Sequence, residues 1–149
     1  MKKLLILFVF ILGCKTSQQN YLVDDDYKIL KQYNIKFVNI NGRKQVSFKG
    51  RSIIDIYIYK YQSVEDVNLF LNEISLAESG QFEKSEFLLF GSNPQMIDYG
   101  ASDGGAYISG RIFQNSITLY ENEIIKDTVT IPLSDWKEIL LSWKEFLLS

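Results

Sequence analysis

Apolar side chains recur at helical spacing in two stretches of the chain. The first stretch follows Ser63, and its apolar positions are Val67, Phe70, Leu71, Ile74 and Ala77. The second follows Pro132, and its apolar positions are Leu133, Trp136, Leu140, Trp143 and Leu147, with Ile139 and Phe146 beside them. Because such positions line one face of an α-helix, each stretch predicts a helix whose apolar face packs on the core, tryptophans included.

The ends of these helices carry their own sequence signals. Ser63 and Asp66 have the spacing of a capping box, which predicts that the first helix begins after Ser63. Gly80 is typical of the residue just beyond a helix end. Ser134 is expected to cap the final helix. A further short helix is predicted over 24–33, since the acids at its start suit the positive end of a helix dipole.

Alternating apolar and polar residues predict strands elsewhere. The most regular alternation covers 53–61, where isoleucines at every second position point one way. The dipeptide Asn41-Gly42 lies between two apolar runs and indicates a type I′ hairpin turn. The other predicted strands cover 35–40, 44–49, 86–90, 107–113, 117–120 and 123–131. Together these elements predict an α+β domain, with a mainly antiparallel sheet of about six or seven strands and two amphipathic helices packed on one face.

The N-terminus has a different pattern. Lys2 and Lys3 precede the uncharged apolar run 4–12, whose nine residues are too few to cross a bilayer but suit a signal peptide. The run ends in Ile11-Leu12-Gly13-Cys14, which resembles the lipobox of bacterial lipoproteins. The resemblance implies a lipid on the thiol of Cys14, with acyl chains of the palmitate type. It also implies cleavage before Cys14. An ordinary cleaved signal peptide or an uncut anchor helix are the alternatives.

The lipobox resemblance sets the expected domain organisation and location. Residues 1–13 are the signal peptide, 14–23 are a lipidated polar tether and 24–149 are one globular domain. The protein is expected to be anchored by its lipid in the bacterial cell envelope. In a Gram-negative cell it would face the periplasm from the outer membrane, since Lys15 is not the aspartate that retains lipoproteins in the inner membrane.

Composition restricts the chemistry that the chain can perform. The chain has no histidine and only one cysteine. This excludes Ser-His-Asp and Cys-His catalysis, His-ligated metal sites and any intrachain disulfide. We therefore expect no enzyme activity, no cofactor, no metal site and no catalytic residue.

The longest predicted irregular stretch is 91–105. It is a candidate binding loop, because long loops in compact domains are often functional. Its candidate binding residues are Asp98, Tyr99, Ser102 and Asp103. Ser102 lies in a Gly-x-Ser-x-Gly match, but the nucleophile elbow of α/β-hydrolases needs a strand-turn-helix context and a histidine. Calcium binding by the loop oxygens is a weaker alternative, since EF-hand spacing is absent.

Charge is divided unevenly along the chain. Residues 28–60 hold eight basic residues and one acid, whereas residues 61–149 hold fourteen acids and five basic residues. Either the two halves face each other in the fold and partly neutralise, or the basic half presents a surface to an anionic partner or to anionic head groups. Nucleic acid is not expected as a partner of an exported chain with net charge −2 and no basic-aromatic motif.

The order of predicted elements at the C-terminal end of the chain carries a second resemblance. A predicted hairpin with the sequence ITLYENEIIKDTVTIPL (117–133) runs into the helix DWKEILLSWKEFL (135–147). This order resembles the ends of small immunity proteins of bacterial toxin systems, some of which are lipoproteins. It implies a membrane-anchored, non-enzymatic protein-binding module that neutralises a toxin through a protein partner. The alternative function is a small-ligand-binding protein or a carboxylate-dependent envelope enzyme that uses the 91–105 loop.

Overall fold

The computed structural model describes residues 19–22, 27–47, 52–85, 97–103, 106–121 and 128–149, which form an α+β fold. The strands are β1 (Gln19–Leu22), β2 (Phe37–Ile40), β3 (Arg43–Val46), β4 (Ile97–Asp103), β5 (Ala106–Ile112), β6 (Ser116–Glu121) and β7 (Thr128–Pro132). The α-helices are α1 (Lys28–Gln32), α2 (Ile53–Tyr59), α3 (Val64–Glu78) and α4 (Leu133–Leu148), and a 3₁₀ turn spans Phe82–Lys84.

The prediction of one sheet of about six or seven strands, covered by two helices, is wrong. In the described residues the strands divide into two small antiparallel sheets, ordered β1-β2-β3 and β4-β5-β6-β7, and four α-helices are present. The physical reason lies after β3. There the chain forms α2 and α3 instead of another strand, so the first sheet ends before the second begins.

The stretch predicted as the most regular strand, 53–61, instead contains the helix α2. Ser52 and Asp55 form a capping box that was not predicted from the sequence. The Ser52 hydroxyl accepts from the backbone N–H of Asp55, and the Asp55 carboxylate accepts from the N–H of Ser52, each at 3.1 Å. These bonds satisfy N–H groups that a helix start leaves without partners. The buried residues then follow helical rather than strand spacing, and they are Ile53, Ile54, Asp55, Tyr57 and Ile58.

The β2–β3 hairpin was predicted correctly in type and turn. Asn41 and Gly42 have φ angles of 55° and 82°. Both central residues of a type I′ turn need such positive values. The short helix α1 lies inside the predicted range 24–33 and buries Ile29 and Leu30. The strand β1 (Gln19–Leu22) pairs with β2, and it lies within the segment predicted as a tether.

Helix α3 begins and ends where the sequence predicts. The Ser63 hydroxyl accepts from the N–H of Asp66 at 3.1 Å, which caps the helix start. At the other end Gly80 has a φ of 70°. The Gly80 N–H bonds the Ala77 carbonyl, and the Gln81 N–H bonds the Leu76 carbonyl, at 3.0 and 2.8 Å. This pair of bonds is a Schellman motif, which satisfies carbonyls left over at the helix end.

Helix α4 begins at Leu133, two residues earlier than predicted, so Ser134 does not cap it. The cap position is Pro132, which makes no side-chain bond to the helix. Instead the N–H of Leu133 donates to the carbonyl of Asn115 at 3.0 Å, in the β5–β6 turn. A backbone contact from the second sheet therefore replaces the side-chain cap that the sequence predicted.

The core lies where α4 packs against the other elements, and both tryptophans are fully buried in it, as predicted. Trp136 lies beside Tyr57 of α2, with ring centroids 5.6 Å apart. Trp143 lies 4.9 Å from Phe37 of β2. The two rings therefore link α4 to both halves of the domain. The predicted strand 86–90 and the signal peptide lie outside the described residues.

Candidate functional site

The residues predicted to form a binding loop lie on strand β4, at one edge of the described four-stranded sheet. The register pairs Asp98 with Arg111, Tyr99 with Gly110, Ser102 with Tyr107 and Asp103 with Ala106. The prediction of an irregular loop over 91–105 is therefore wrong for residues 97–103. The remaining residues of that range, and Cys14, lie outside the described residues.

The strand placement also bears on the Gly-x-Ser-x-Gly match. Ser102 lies within an antiparallel strand whose neighbour β5 follows directly in the chain. A nucleophile elbow instead places its serine on a sharp turn between a strand and a helix. The expectation that this match is not an elbow is thus consistent with the backbone around Ser102.

A pocket that the sequence did not predict lies between α1, β2 and the C-terminal part of α4. Its volume is about 240 Å³. Its lining residues are Tyr27, Leu30, Phe37, Ser142, Glu145, Phe146 and Ser149. The rings of Phe37 and Phe146 stack with centroids 5.5 Å apart. These rings and Leu30 give the pocket an apolar wall, as small-molecule sites commonly have.

Polar groups of the pocket are held by bonds within the fold. The Tyr27 hydroxyl donates to the Glu145 carboxylate at 2.5 Å, so that α1 is joined to α4 at the pocket. The Ser142 hydroxyl donates to the Glu138 carbonyl at 2.9 Å, inside α4. Beside the pocket, the Lys44 ammonium lies 5.9 Å from the centroid of the Phe146 ring. A ligand here would meet an apolar wall with one carboxylate at its rim.

Basic residues of the N-terminal half remain at the surface. Lys28, Lys36 and Arg43 are exposed. None of the three forms an ion pair with any residue in the described parts of the chain. Among the described residues, the basic half of the sequence thus keeps positive charge without an ion pair on α1, just before β2 and at the start of β3.

Acids of α4 that face α1 are bonded by neutral groups rather than by its lysines. The Tyr33 hydroxyl donates to Asp135 at 2.7 Å, and the Gln32 amide donates to the same oxygen at 3.3 Å. Burial, and then the hydrogen bond and charge of Asp135, raise the pKa of Tyr33 to about 12. The halves therefore touch, as one interpretation of the charge pattern expected, but these contacts do not neutralise the lysines.

Two buried carboxylates were not singled out from the sequence. Asp55 is only 3% exposed, and its Oδ1 atom has no hydrogen-bond partner in the described residues. Burial raises the pKa of Asp55, and the backbone and side-chain bonds of Ser52 oppose the shift. Glu73 of α3 accepts a hydrogen bond from the hydroxyl of the buried Ser85. Within the described ranges, no three His, Cys, Asp or Glu residues approach closely enough to hold a metal ion.

Comparison with known proteins assigns no family. No family model matches the chain, and no curated protein or solved structure matches it either. Among the residues that the structure describes, no helix is both long and apolar enough to span a membrane.

The pocket escaped the sequence analysis because its residues come from distant positions. Tyr27 and Glu145 are 118 positions apart, and no local pattern links them. The apolar periodicity of α4 marked Phe146 as a core residue only. Lys28 and Lys36 belong to a charge excess that is visible in the sequence, but whether they form ion pairs with other described residues depends on the packing of the folded chain.

Proposed function

We propose that this protein is a non-enzymatic binding module that is anchored by a lipid on Cys14 in the bacterial cell envelope. The observation that carries the binding role is the exposed positive charge of Lys28 and Lys36, neither of which has an ion pair among the described residues. The lipobox-like end of the leader supports the anchor, and the absence of histidine from the whole chain supports binding over catalysis.

The partner proposed for this surface is a protein with an acidic patch. Binding through exposed charges that have no ion pair costs little free energy, because no existing ion pair must break when the partner approaches. They also accelerate encounter with an oppositely charged protein, in a way that weakens with salt. We further propose that this protein partner is a toxin, because residues 117–147 resemble the ends of immunity proteins.

Affinity capture from envelope and secreted fractions tests the protein partner. The bait is the full chain in detergent, and a single protein recovered at near-equal stoichiometry is expected. The double variant Lys28→Glu/Lys36→Glu should lose most of this protein, whereas the control Lys84→Glu should retain it. Lys84 is a suitable control because it is exposed and lies on the 3₁₀ turn after α3. Equal recovery by both variants would contradict a role for the basic surface.

Cell protection tests the immunity proposal separately. Cells that express the chain are exposed to each toxin produced by the same strain, and survival is compared with cells that lack the chain. Protection against one toxin is expected, and the Lys28→Glu/Lys36→Glu variant should reduce it. If the chain protects against no toxin although it captures a protein partner, the partner is not a toxin.

The anchor is tested with Cys14→Ser. The variant is expected to lose the lipid and to leave the membrane fraction, because the thiol that carries the lipid is gone. Mass spectrometry of the N-terminal peptide detects the lipid on the parent protein. A Cys14→Ser variant that is still processed and bound to the membrane would refute the anchor.

The pocket between α1, β2 and α4 favours a second candidate function, the binding of a small apolar ligand. Native mass spectrometry of the purified chain would show a bound compound of constant mass. The variant Ser142→Phe is expected to abolish its binding, because a phenyl ring at this buried lining position would occupy the pocket. Leu69→Phe is the matched control, since Leu69 is exposed on α3.

A further inference from the structure

The pairing of β1 shows where the N-terminal segment reaches the fold. Strand β1 runs antiparallel to β2, with Gln19 opposite Ile40 and Leu22 opposite Phe37. The N-terminal end of β1 therefore lies beside the Asn41-Gly42 turn. Cys14 precedes Gln19 by five residues, and five residues reach at most about 18 Å when fully extended. A lipid on Cys14 would thus hold this turn close to the membrane.

The C-terminus of α4 lies at the same end of the domain. Lys44, two residues after Gly42, donates from its ammonium to the carbonyl of Leu147 at 2.9 Å. Leu148 follows and is 66% exposed. We call the surface formed by Asn41, Gly42, Arg43, Lys44 and Leu148 the tether end.

The opposite end of the domain is marked by the start of α4. The N–H of Leu133 bonds to Asn115 in the β5–β6 turn, and Gln114 of this turn lies beside Gly80 at the end of α3. Helix α4 has 16 residues, which correspond to a length of about 24 Å. The β5–β6 turn therefore lies about one helix length away from Leu148.

The side chains of the tether end suit an anionic lipid surface. Arg43 is exposed and has no ion pair with a described residue, and Lys44 is positioned at the end of α4. Leu148 offers exposed apolar area directly after Leu147, whose carbonyl binds Lys44. The nearby acid Glu145 already accepts a bond from Tyr27. Cations that meet headgroup phosphates beside a leucine that enters the interface are typical of peripheral membrane contacts.

We propose that the tether end rests on the anionic leaflet that holds the Cys14 lipid, with the β5–β6 turn pointing away from the membrane. This proposal depends on the proposed lipidation of Cys14. It adds a defined orientation: the domain is held down at two places, by its lipid and by Arg43 and Leu148, instead of swinging on its tether.

The orientation is tested with full-length lipidated protein in vesicles of phosphatidylcholine and phosphatidylglycerol. Leu148→Cys and Gln114→Cys are each labelled with an environment-sensitive fluorophore. Cys14 is the only native cysteine, and its thiol is blocked by the lipid, so each introduced thiol is the only reactive one. Spin-labelled headgroups should quench the label at position 148 at least threefold more than the label at position 114. Equal quenching at both positions would overturn the orientation.

The charge requirement is tested in the Leu148→Cys background. Arg43→Glu is expected to reduce quenching at least twofold, and so is the replacement of phosphatidylglycerol by phosphatidylcholine. The matched control Lys84→Glu makes the same charge change on the 3₁₀ turn after α3 and should leave quenching unchanged. If Arg43→Glu has no more effect than Lys84→Glu, the anionic contact is refuted.

Mass spectrometry of the same samples separates the two proposals. If Cys14 carries no lipid, both the anchor and the orientation fail. If Cys14 carries its lipid and positions 148 and 114 are quenched equally, only the orientation fails and the anchored binding module stands.

Discussion

The phenolic end of Tyr57 in α2 lies directly against the backbone of Gly110 in β5. A Cβ atom at position 110 would lie 2.9 Å from Cζ of Tyr57, closer still to its hydroxyl, and 3.3 Å from Cδ2 of Leu119. Tyr57 is fully buried, with its ring 5.6 Å from that of Trp136. The ring has no room to move aside, so this glycine is what allows α2 to pack on the second sheet.

Gly110→Ala is therefore expected to destabilise the protein by about 1–3 kcal/mol, the usual cost of overpacking a core. Urea unfolding followed by tryptophan fluorescence measures the free energy of unfolding. In a double-mutant cycle with Tyr57→Phe, the two effects should not add, because removal of the hydroxyl relieves part of the clash. Effects that add within about 0.5 kcal/mol would show that the two positions are independent.

The indole N–H groups of the two buried tryptophans should differ in their contribution to the stability of the fold. Trp143 Nε1 donates to the carbonyl of Tyr61 at 2.6 Å, whereas Trp136 Nε1 has no hydrogen-bond partner in the described residues. Trp143→Phe leaves the buried carbonyl of Tyr61 without its donor. Trp136→Phe removes a buried N–H donor that has no acceptor in the described residues. We expect Trp143→Phe to be more destabilising by about 1–3 kcal/mol. Chemical unfolding of both variants checks this, and equal losses would contradict it.

The stability of the protein should depend on pH through Asp55. Because burial raises the pKa of Asp55 above its usual 3.8, the folded state holds the proton more tightly than the unfolded state. Its contribution is complete below pH 3.8 and is lost as the pH rises through the folded pKa. Relative to Asp55→Asn, the parent protein should lose stability from about pH 4 upward. A constant difference between parent and variant from pH 4 to pH 7 would contradict this.

Tyr33 should ionise at a higher pH than an ordinary tyrosine. Its pKa of about 12 reflects burial first and the Asp135 carboxylate second. Asp135→Asn should move the pKa back toward 10, because both the hydrogen bond to the carboxylate and its negative charge are lost. The stability contributed by Tyr33 is complete below pH 10 and is lost as the pH rises toward 12. Ultraviolet titration, with Tyr33→Phe subtracted, isolates this group, and an unchanged pKa in Asp135→Asn would refute the coupling.

Local signals were sufficient where a structure depends on neighbouring residues. The sequence determined the ends of α3, through the cap at Ser63 and the left-handed Gly80, and the turn at Asn41-Gly42. It also determined that both tryptophans are buried, since they lie on the apolar face of the amphipathic helix α4 and such a face packs on the core. The lipid on Cys14 is a prediction from local sequence too, and it awaits the test with Cys14→Ser.

Tertiary structure decided whatever depends on residues far apart in the chain. The run 53–61 is compatible with both a strand and a helix, and burial against β6 and β7 together with the Ser52 cap selected the helix. That choice divided the strands into two sheets. It also placed Tyr57 on Gly110. The pocket likewise follows from how α1 meets α4, and so does the lack of an ion pair between Lys28 and any described residue. Such contacts produce no periodic pattern in the sequence. The energy of packing depends on how well side chains from distant parts of the chain fit together, and not on their spacing along the chain.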